Sequence, residues 1–269
     1  MCRPVGPLRM IPPSSSLAPY APGSPPVPVE AAGFRIYTDL HLDGDRPHEI
    51  AAFAIDLRQQ AADPNVERCH VVVLGDLFDA YTGAESWRAP AFRELVEAFR
   101  ELASRAAGVW VLRGNRDVLL EPAHVAEHGL RVADGLLARL PGRPAALLTH
   151  GDAYCLADHD YQKLRRLLRR RGMRRVLGLV GAGGRRLLAR RLRAHSRDAV
   201  AAKSPQELEL HEDTLAAELE RVGAAVAVLG HLHEARDRRL PSGARLRVLP
   251  AWEPGSRPWD LAALLDGRS

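Results

Sequence analysis

The sequence predicts an α/β sandwich, on the strength of three observations. From Phe34 onward, short apolar runs alternate with amphipathic stretches, as strands separated by covering helices do. Five of those runs end in residues that bind metals: Asp39 with His41, Asp76, Asn115, His150, and His231 with His233. Open α/β sheets place their sites outside the carboxyl ends of the strands, which is where such residues would fall. The 269 residues are also enough to bury one full core with attachments.

Taken in order, residues 1–33 are expected to form a disordered leader. Pro12, Pro13, Pro25 and Pro26 with Ser14 to Ser16 leave too little apolar surface to offset the ordering entropy. A strand is placed at 34–38, a helix at 47–61, a strand at 69–74, a helix at 89–107, a strand at 109–113 and a short helix near 122–128, opened by Pro122. Leu136 to Leu140 and Ala145 to Leu148, joined by Pro-Gly-Arg-Pro, read as a hairpin. A helix over 205–222, a strand at 225–229 and a hairpin from Leu240 to Leu249 around Pro241-Ser242-Gly243 complete the pattern. The core is expected over 34–157 and 204–265, with 158–203 inserted as a basic, amphipathic helical lid.

The net charge of +5 hides an asymmetry. Lys163 to Arg197 holds fourteen Lys and Arg and no Asp or Glu, and the remainder of the chain carries 24 basic against 33 acidic residues. The basicity is a local device for a local anionic partner. Leu164, Leu167 and Leu168, then Val176, Leu177 and Val180, then Leu187, Leu188 and Leu192 fall at helical spacing around Gly181-Ala-Gly-Gly184. Two amphipathic helices are implied, with apolar faces suited to acyl chains and arginines suited to lipid phosphates. A solvated arginine-rich hairpin is the plainer alternative. No aromatic residue interleaves with the arginines, so the stacking platforms of single-strand binders are missing, and no dedicated nucleic-acid partner is expected. No apolar run approaches the ~18 residues of a membrane span, and proline and serine interrupt the leader where a signal peptide needs a continuous apolar core. With Cys2, Cys69 and Cys155 forming no framework, a reducing, cytoplasmic setting is expected, peripheral to the inner face of a membrane.

The motifs in order are Asp39-x-His41, Gly75-Asp76-Leu77-Phe78-Asp79, Gly114-Asn115-Arg116-Asp117, His150-Gly151-Asp152 and Gly230-His231-Leu232-His233. Each is weak alone; the ordered set is not. Two divalent cations about 3.5–4 Å apart activate a water and clamp a phosphoryl group, and a carboxylate must bridge them. Asp76, leaving a strand behind a glycine, is the expected bridge. Imidazole mixed with carboxylate and amide oxygens, without thiolate, points to two divalent cations of the Mn(II) type.

This set resembles the calcineurin-like metallophosphoesterase family over residues 34–252, which implies an αββα sandwich with an inserted helical lid. By that resemblance Asp39, His41, Asp76 and His233 hold one metal, and Asp76, Asn115, His150 and His231 the other. Asn115, Arg116 and His150 are implied as catalytic. Arginine stays protonated, so Arg116 is suited to stabilising phosphoryl charge and not to general acid work. Asp117 and Asp152 are expected to support a ligand histidine or Arg116.

Arg116 in its motif, the string from His150 to Gln162 and the string from Arg193 to Lys203 narrow the resemblance to the UDP-2,3-diacylglucosamine diphosphatases of lipid A biosynthesis, which release UMP and leave 2,3-diacylglucosamine 1-phosphate (lipid X). The implied substrate contacts are Asn115, Arg116, Asp158, Tyr161, Arg193, Ser196, Lys203 and His231. Gly-His-Leu-His stands where Gly-His-Thr-His is usual, and Val200 where a polar side chain is common. The alternatives are a dimetal phosphoesterase acting on a soluble nucleotide or phosphodiester, and a non-catalytic scaffold of the same fold.

Overall fold

Alternation along the strands sets the architecture. In β3 (Cys69–Val73) and β4 (Gly108–Leu112), Val71, Val73, Val109 and Val111 face one apolar cluster while Val72, Trp110 and Leu112 face another. Strands buried on both faces need a layer on each side. The computed structural model describes residues 24–157, 159–168, 173, 179–181, 183–184 and 210–268, and it supplies those layers.

One sheet has five strands in the order β11 (Trp259–Asp260), β2 (Gly33–Tyr37), β3, β4, β5 (Leu130–Ala133). The other has six, in the order β1 (Val27–Glu30), β6 (Gly135–Arg139), β7 (Ala146–Thr149), β8 (Val226–Leu229), β10 (Arg245–Val248), β9 (Arg236–Arg239). Phe34, Ile36, Val72 and Leu112 from the first sheet meet Leu136, Ala146, Leu148 and Val228 from the second, so the sheets pack face to face. Helices α1 (Pro47–Ala62) and α2 (Arg93–Arg105) cover the outer face of the first through Phe53, Leu57, Leu95 and Phe99. With α3 (Pro122–Val125) and α4 (His159–Leu168) lying between, the outer face of the second is covered by α5 (Glu212–Val222) through Leu215 and Leu219. The layers are αββα, as expected.

α5 stops where its sequence says but starts later than the expected 205: residues 210 and 211 are not helical, and the helix is capped at His211. The His211 ring accepts from the Thr214 N–H at 3.3 Å, and Gly223 ends the helix at φ 70°. β2, β3 and β4 run parallel, as do β7 and β8, so the ligand-bearing loops of each sheet leave one edge together.

Several expectations need correction. The expectation of a disordered leader does not hold over 27–30, where β1 pairs in parallel with β6, Val27 opposite Leu136, and Val29 is buried between the sheets; residues 1–23 lie outside the described residues. Proline is tolerated there because β1 is an edge strand, with one side unpaired. β5 was not foreseen, because Arg131 breaks its four-residue run; the guanidinium lies over the Trp110 ring at 5.4 Å. The final hairpin begins earlier than Leu240, with the charged edge strand Arg236-Asp-Arg-Arg, and the chain continues into β11 and α6 (Leu261–Leu265). The helix expected over 89–107 is shorter, following two 3-10 turns. Of the inserted segment, α4 is described and carries Leu164, Leu167 and Leu168; the second leucine helix, with Leu187, Leu188 and Leu192, lies outside the described residues.

Candidate metal centre

Backbone geometry marks the site first. Among the described residues, five non-glycine residues have positive φ: Asp39 (53°), His41 (48°), Asp76 (51°), His231 (67°) and His233 (57°). All five are predicted ligands. Residues held in this sparsely populated region cost free energy and persist where the surroundings over-determine them, typically at active sites.

The loops that impose this geometry are tied across strand ends. The Asp39 N–H donates to Gly75 O (3.3 Å), that of His41 to Asp76 O (2.9 Å), and that of Gly230 to His150 O (3.0 Å). Glycines let the loops close. A Cβ on Gly114 would stand 2.1 Å from Asp76 Oδ1, one on Gly230 2.3 Å from Asp39 Oδ2, and one on Gly75 2.5 Å from the His150 ring. Asp117 accepts from the Gly114 N–H (2.6 Å) and the Leu77 N–H (2.9 Å), so its role is to lace two ligand loops together; it does not orient a histidine as expected.

The side chains converge into two groups: Asp39, His41 and His233, and Asp39, Asp76 and His150. Asp39 belongs to both, while Asp76, the expected bridge, has its Oδ2 3.8 Å from His41 Nδ1 and its Oδ1 3.6 Å from His150 Nε2. Asp39 is fixed through one oxygen: Oδ2 accepts from Thr38 Oγ1 and from the His231 N–H (3.0 Å). Its buried Oδ1 has no hydrogen bond of good geometry, although His233 Nε2 approaches to 3.3 Å and His41 Nε2 to 3.9 Å.

These contacts fit a cation. His150 Nδ1 lies 3.0 Å from Leu74 O, which makes Nδ1 the protonated nitrogen and turns the Nε2 lone pair toward Asn115 Oδ1, 3.0 Å away. Two acceptors at that distance need a proton or a metal between them. His41 Nε2 and His233 Nε2 lie 3.2 Å apart, a spacing at which a cation would take the lone pairs of both rings. His231 stacks edge-on against His150 with ring centroids 4.9 Å apart. Among the described residues no cysteine joins either group, and Cys155 is packed in the apolar cluster beneath α5.

The electrostatics agree. Burial, partly offset by His150 and reinforced by Asp117 and Asp39, pushes the Asp76 carboxyl up to about 8. Burial opposes charge on His150, but Asp76, Asp39, Asp152 and Asp117 outweigh it and raise the ring to about 9. His41 is pushed down to about 4 by burial, against Asp39 and helped by His233 and Arg116. His231 is likewise pushed to about 4 by burial and by His150. Burial also works against the Asp39 carboxylate, yet His233, His150 and Thr38 hold it well below the usual range. Without a cation, this buried carboxylate cluster is compensated by protons.

Of the remaining predicted residues, Arg116 donates its backbone N–H to Asp76 Oδ1 at 2.8 Å. Tyr161 Oη donates to Asp152 Oδ2, and Arg165 Nε lies 3.0 Å from the same oxygen. Asp158, Arg193, Ser196 and Lys203 lie outside the described residues. Two participants lie outside the motifs, Thr38 and the Leu74 carbonyl. A threonine beside a ligand aspartate was the available signal for the first; a backbone oxygen leaves none.

Comparison with known proteins follows the same line. No family model matches the chain. It is 32% identical over 220 residues to a UDP-2,3-diacylglucosamine hydrolase of Marinobacter nauticus, spanning 80% of this chain and 88% of that protein. It is 31% identical over 222 residues to one of Pseudomonas fluorescens, spanning 81% and 87%. Among solved structures, a dimetal phosphatase from Danio rerio aligns over 85% of this chain and 91% of that one, with 15% identity and a TM-score of 0.45.

Proposed function

The chain belongs to the UDP-2,3-diacylglucosamine hydrolase family, and on that premise we propose that it hydrolyses the pyrophosphate of UDP-2,3-diacylglucosamine to UMP and 2,3-diacylglucosamine 1-phosphate. The observation that carries the proposal is the convergence of His150 Nε2 with Asn115 Oδ1, and of His41 Nε2 with His233 Nε2, around one doubly used aspartate. Asp39, His41, Asp76 and His233 would hold one cation, and Asp76, Asn115, His150 and His231 the other, with Asp39 also grouped with Asp76 and His150 and so within reach of both. Divalent cations, Mn(II) by the mixture of donors, supply Lewis acidity and lower the pKa of water when bound.

The chain's own groups do the rest. Leu74 O keeps the proton on His150 Nδ1, so Nε2 stays available as a donor of electrons. Thr38 and the His231 N–H occupy Asp39 Oδ2, which aims Oδ1 at the centre. The Arg116 guanidinium, close enough to His41 to disfavour its protonation, is placed to stabilise charge growing on a phosphoryl oxygen. UMP leaves as a phosphate of moderate pKa, so no dedicated general acid is needed. Asp158, Tyr161, Arg193, Ser196 and Lys203 are proposed to hold the UDP-glucosamine portion. The arginine-rich segment is proposed to meet acyl chains and an anionic membrane surface on the cytoplasmic side. Among the described residues no helix is long and apolar enough to cross a membrane.

The test is UMP release from UDP-2,3-diacylglucosamine with Mn(II), with chelator, and from UDP-N-acetylglucosamine without acyl chains. Metal-dependent release that needs the acyl chains supports the proposal. Equal turnover of the acyl-free substrate would favour a phosphoesterase for soluble nucleotides, and release that survives chelation would sink the metal assignment.

A further inference from the structure

The inserted segment opens with α4, and one face of that helix is fastened to the turn behind His150. Gln162 Nε2 donates to the backbone oxygens of Asp152 (2.8 Å) and Cys155 (3.1 Å), bracketing the turn Asp152–Tyr154. Tyr161 Oη donates to Asp152 Oδ2, and Arg165 Nε lies 3.0 Å from the same oxygen, an ion pair by distance whose N–H is not aligned as a hydrogen bond. Residues 161, 162 and 165 share one face of the helix. Arg165 is 4% exposed and Asp152 2%, whereas Lys163 and Arg166 on either side of Arg165 are exposed. A guanidinium loses its solvation at such a position, and the loss is offset only where a carboxylate is held in place for it.

The other side of the turn packs on the metal centre. Gly151 takes φ 116°, and a Cβ there would meet the Cβ atoms of His231 and Leu229 at 3.5 Å. Asp152 is two residues from His150 in the chain, and Gly151 lies between them. The buried ion pair therefore stands between α4 and two predicted ligands.

We propose that Arg165 is a positioning residue: by holding Asp152 it fixes the turn that sets His150 against His231, and so ties the first helix of the inserted segment to the metal ligands. It rests on the metal centre proposed above and adds to it a residue that touches neither metal nor substrate. Partners behind metal-ligating histidines affect metal affinity or activity by about 10- to 100-fold, which gives the scale of the expected effect.

The experiment uses the full chain and the variants Arg165→Met, Arg165→Lys, Asp152→Asn and the double Arg165→Met with Asp152→Asn. Mn(II) affinity of the metal-free protein is measured by isothermal titration calorimetry, alongside UMP release. Arg165→Met is expected to weaken Mn(II) binding about 10-fold, and Arg165→Lys, which keeps a charge for Asp152, to stay within about threefold of the parent. In the Asp152→Asn background, losing Arg165 is expected to change affinity by less than about twofold, since the partner is already altered. Affinity for Arg165→Met within about twofold of the parent, or an equal loss in both backgrounds, overturns the proposal. Should Arg165→Met not fold, Arg165→Gln, which keeps a polar side chain but no charge for Asp152, takes its place, and Mn(II) affinity within about twofold of the parent there overturns the proposal equally. If the parent releases no UMP, the substrate proposal fails, while the Mn(II) affinities still decide the role of Arg165.

Discussion

The metal centre has an inner and an outer half that share Asp39. In the inner half Asp39, Asp76 and His150 are all buried; in the outer half the His41 side chain is 19% exposed and that of His233 48%. The inner ligands are gripped by backbone, with Leu74 O on His150 and the Arg116 N–H on Asp76. The outer histidines face each other and solvent. A ligand surrounded by backbone is part of the fold, whereas one at the rim belongs to the opening through which ion and substrate arrive. Structural cost and ion affinity should therefore separate along this line.

The largest separation is expected between Asp76→Ala and His233→Ala. Asp76→Ala removes the carboxylate that contacts both halves, and UMP release should fall by about 10³-fold or more, several kcal/mol of lost charge stabilisation. His233→Ala should cost about 10- to 100-fold at limiting Mn(II) and recover much of that at excess metal. Steady-state assays across a Mn(II) titration check both, and equal, unrescued losses would erase the inner–outer distinction.

Next in size is a glycine contrast. Gly114→Ala drives a methyl to 2.1 Å from Asp76 Oδ1 and 2.6 Å from the Asp76 backbone nitrogen, which cannot move cheaply. A loss of about 2–3 kcal/mol is expected, with metal binding damaged as well. Gly223→Ala, at φ 70° but with open space around it, should cost only about 1 kcal/mol and leave activity intact. Urea unfolding with metal-binding calorimetry separates the two, and equal stability losses would show that the loop, not the approach to Asp76, limits the site.

Protons sharpen the comparison further. Metals bind deprotonated carboxylate and neutral imidazole, so inner groups held up at about 8 (Asp76) and about 9 (His150) must release protons on binding. His41, pushed down to about 4, is already neutral near pH 7. Affinity of the inner step should rise with pH between 6 and 8 by about tenfold per unit for each proton released, and the outer step by less. Calorimetry in two buffers of different ionisation enthalpy counts the protons; a zero count at the inner step would contradict it.

How much of this was legible in the sequence follows from what each feature depends on. The strand ends were visible because Val71 to Leu74 and Val226 to Leu229 are apolar runs interrupted at once by Gly-Asp and Gly-His. β1 and β5 were not, because Pro28 and Arg131 break local patterns that only neighbouring strands make sense of. Asp117 was noticed but misjudged: its motif looks like support for a ligand, whereas its hydrogen bonds go to backbone from Gly114 and from Leu77, forty residues away. Nothing in the motifs showed that Asp39 would enter both ligand groups, since that depends on how two sheets approach each other.

The smallest effect tests that shared aspartate. Thr38 is buried, and its hydroxyl and the His231 N–H together occupy Asp39 Oδ2. Thr38→Val keeps the shape and removes the donor; a charge-assisted hydrogen bond of this kind contributes about 1.5–3 kcal/mol, and the remaining donor should limit the loss to the lower end. Thr38→Ser keeps the donor and loses one methyl, so it should retain metal affinity and cost about 1 kcal/mol of stability. Because Asp39 serves both halves, Thr38→Val should weaken both Mn(II) steps together, by about three- to tenfold each, where His233→Ala weakens one. A Thr38→Val protein whose inner step alone weakens would mean that Asp39 acts chiefly in the buried group, and that the outer half depends on its two histidines.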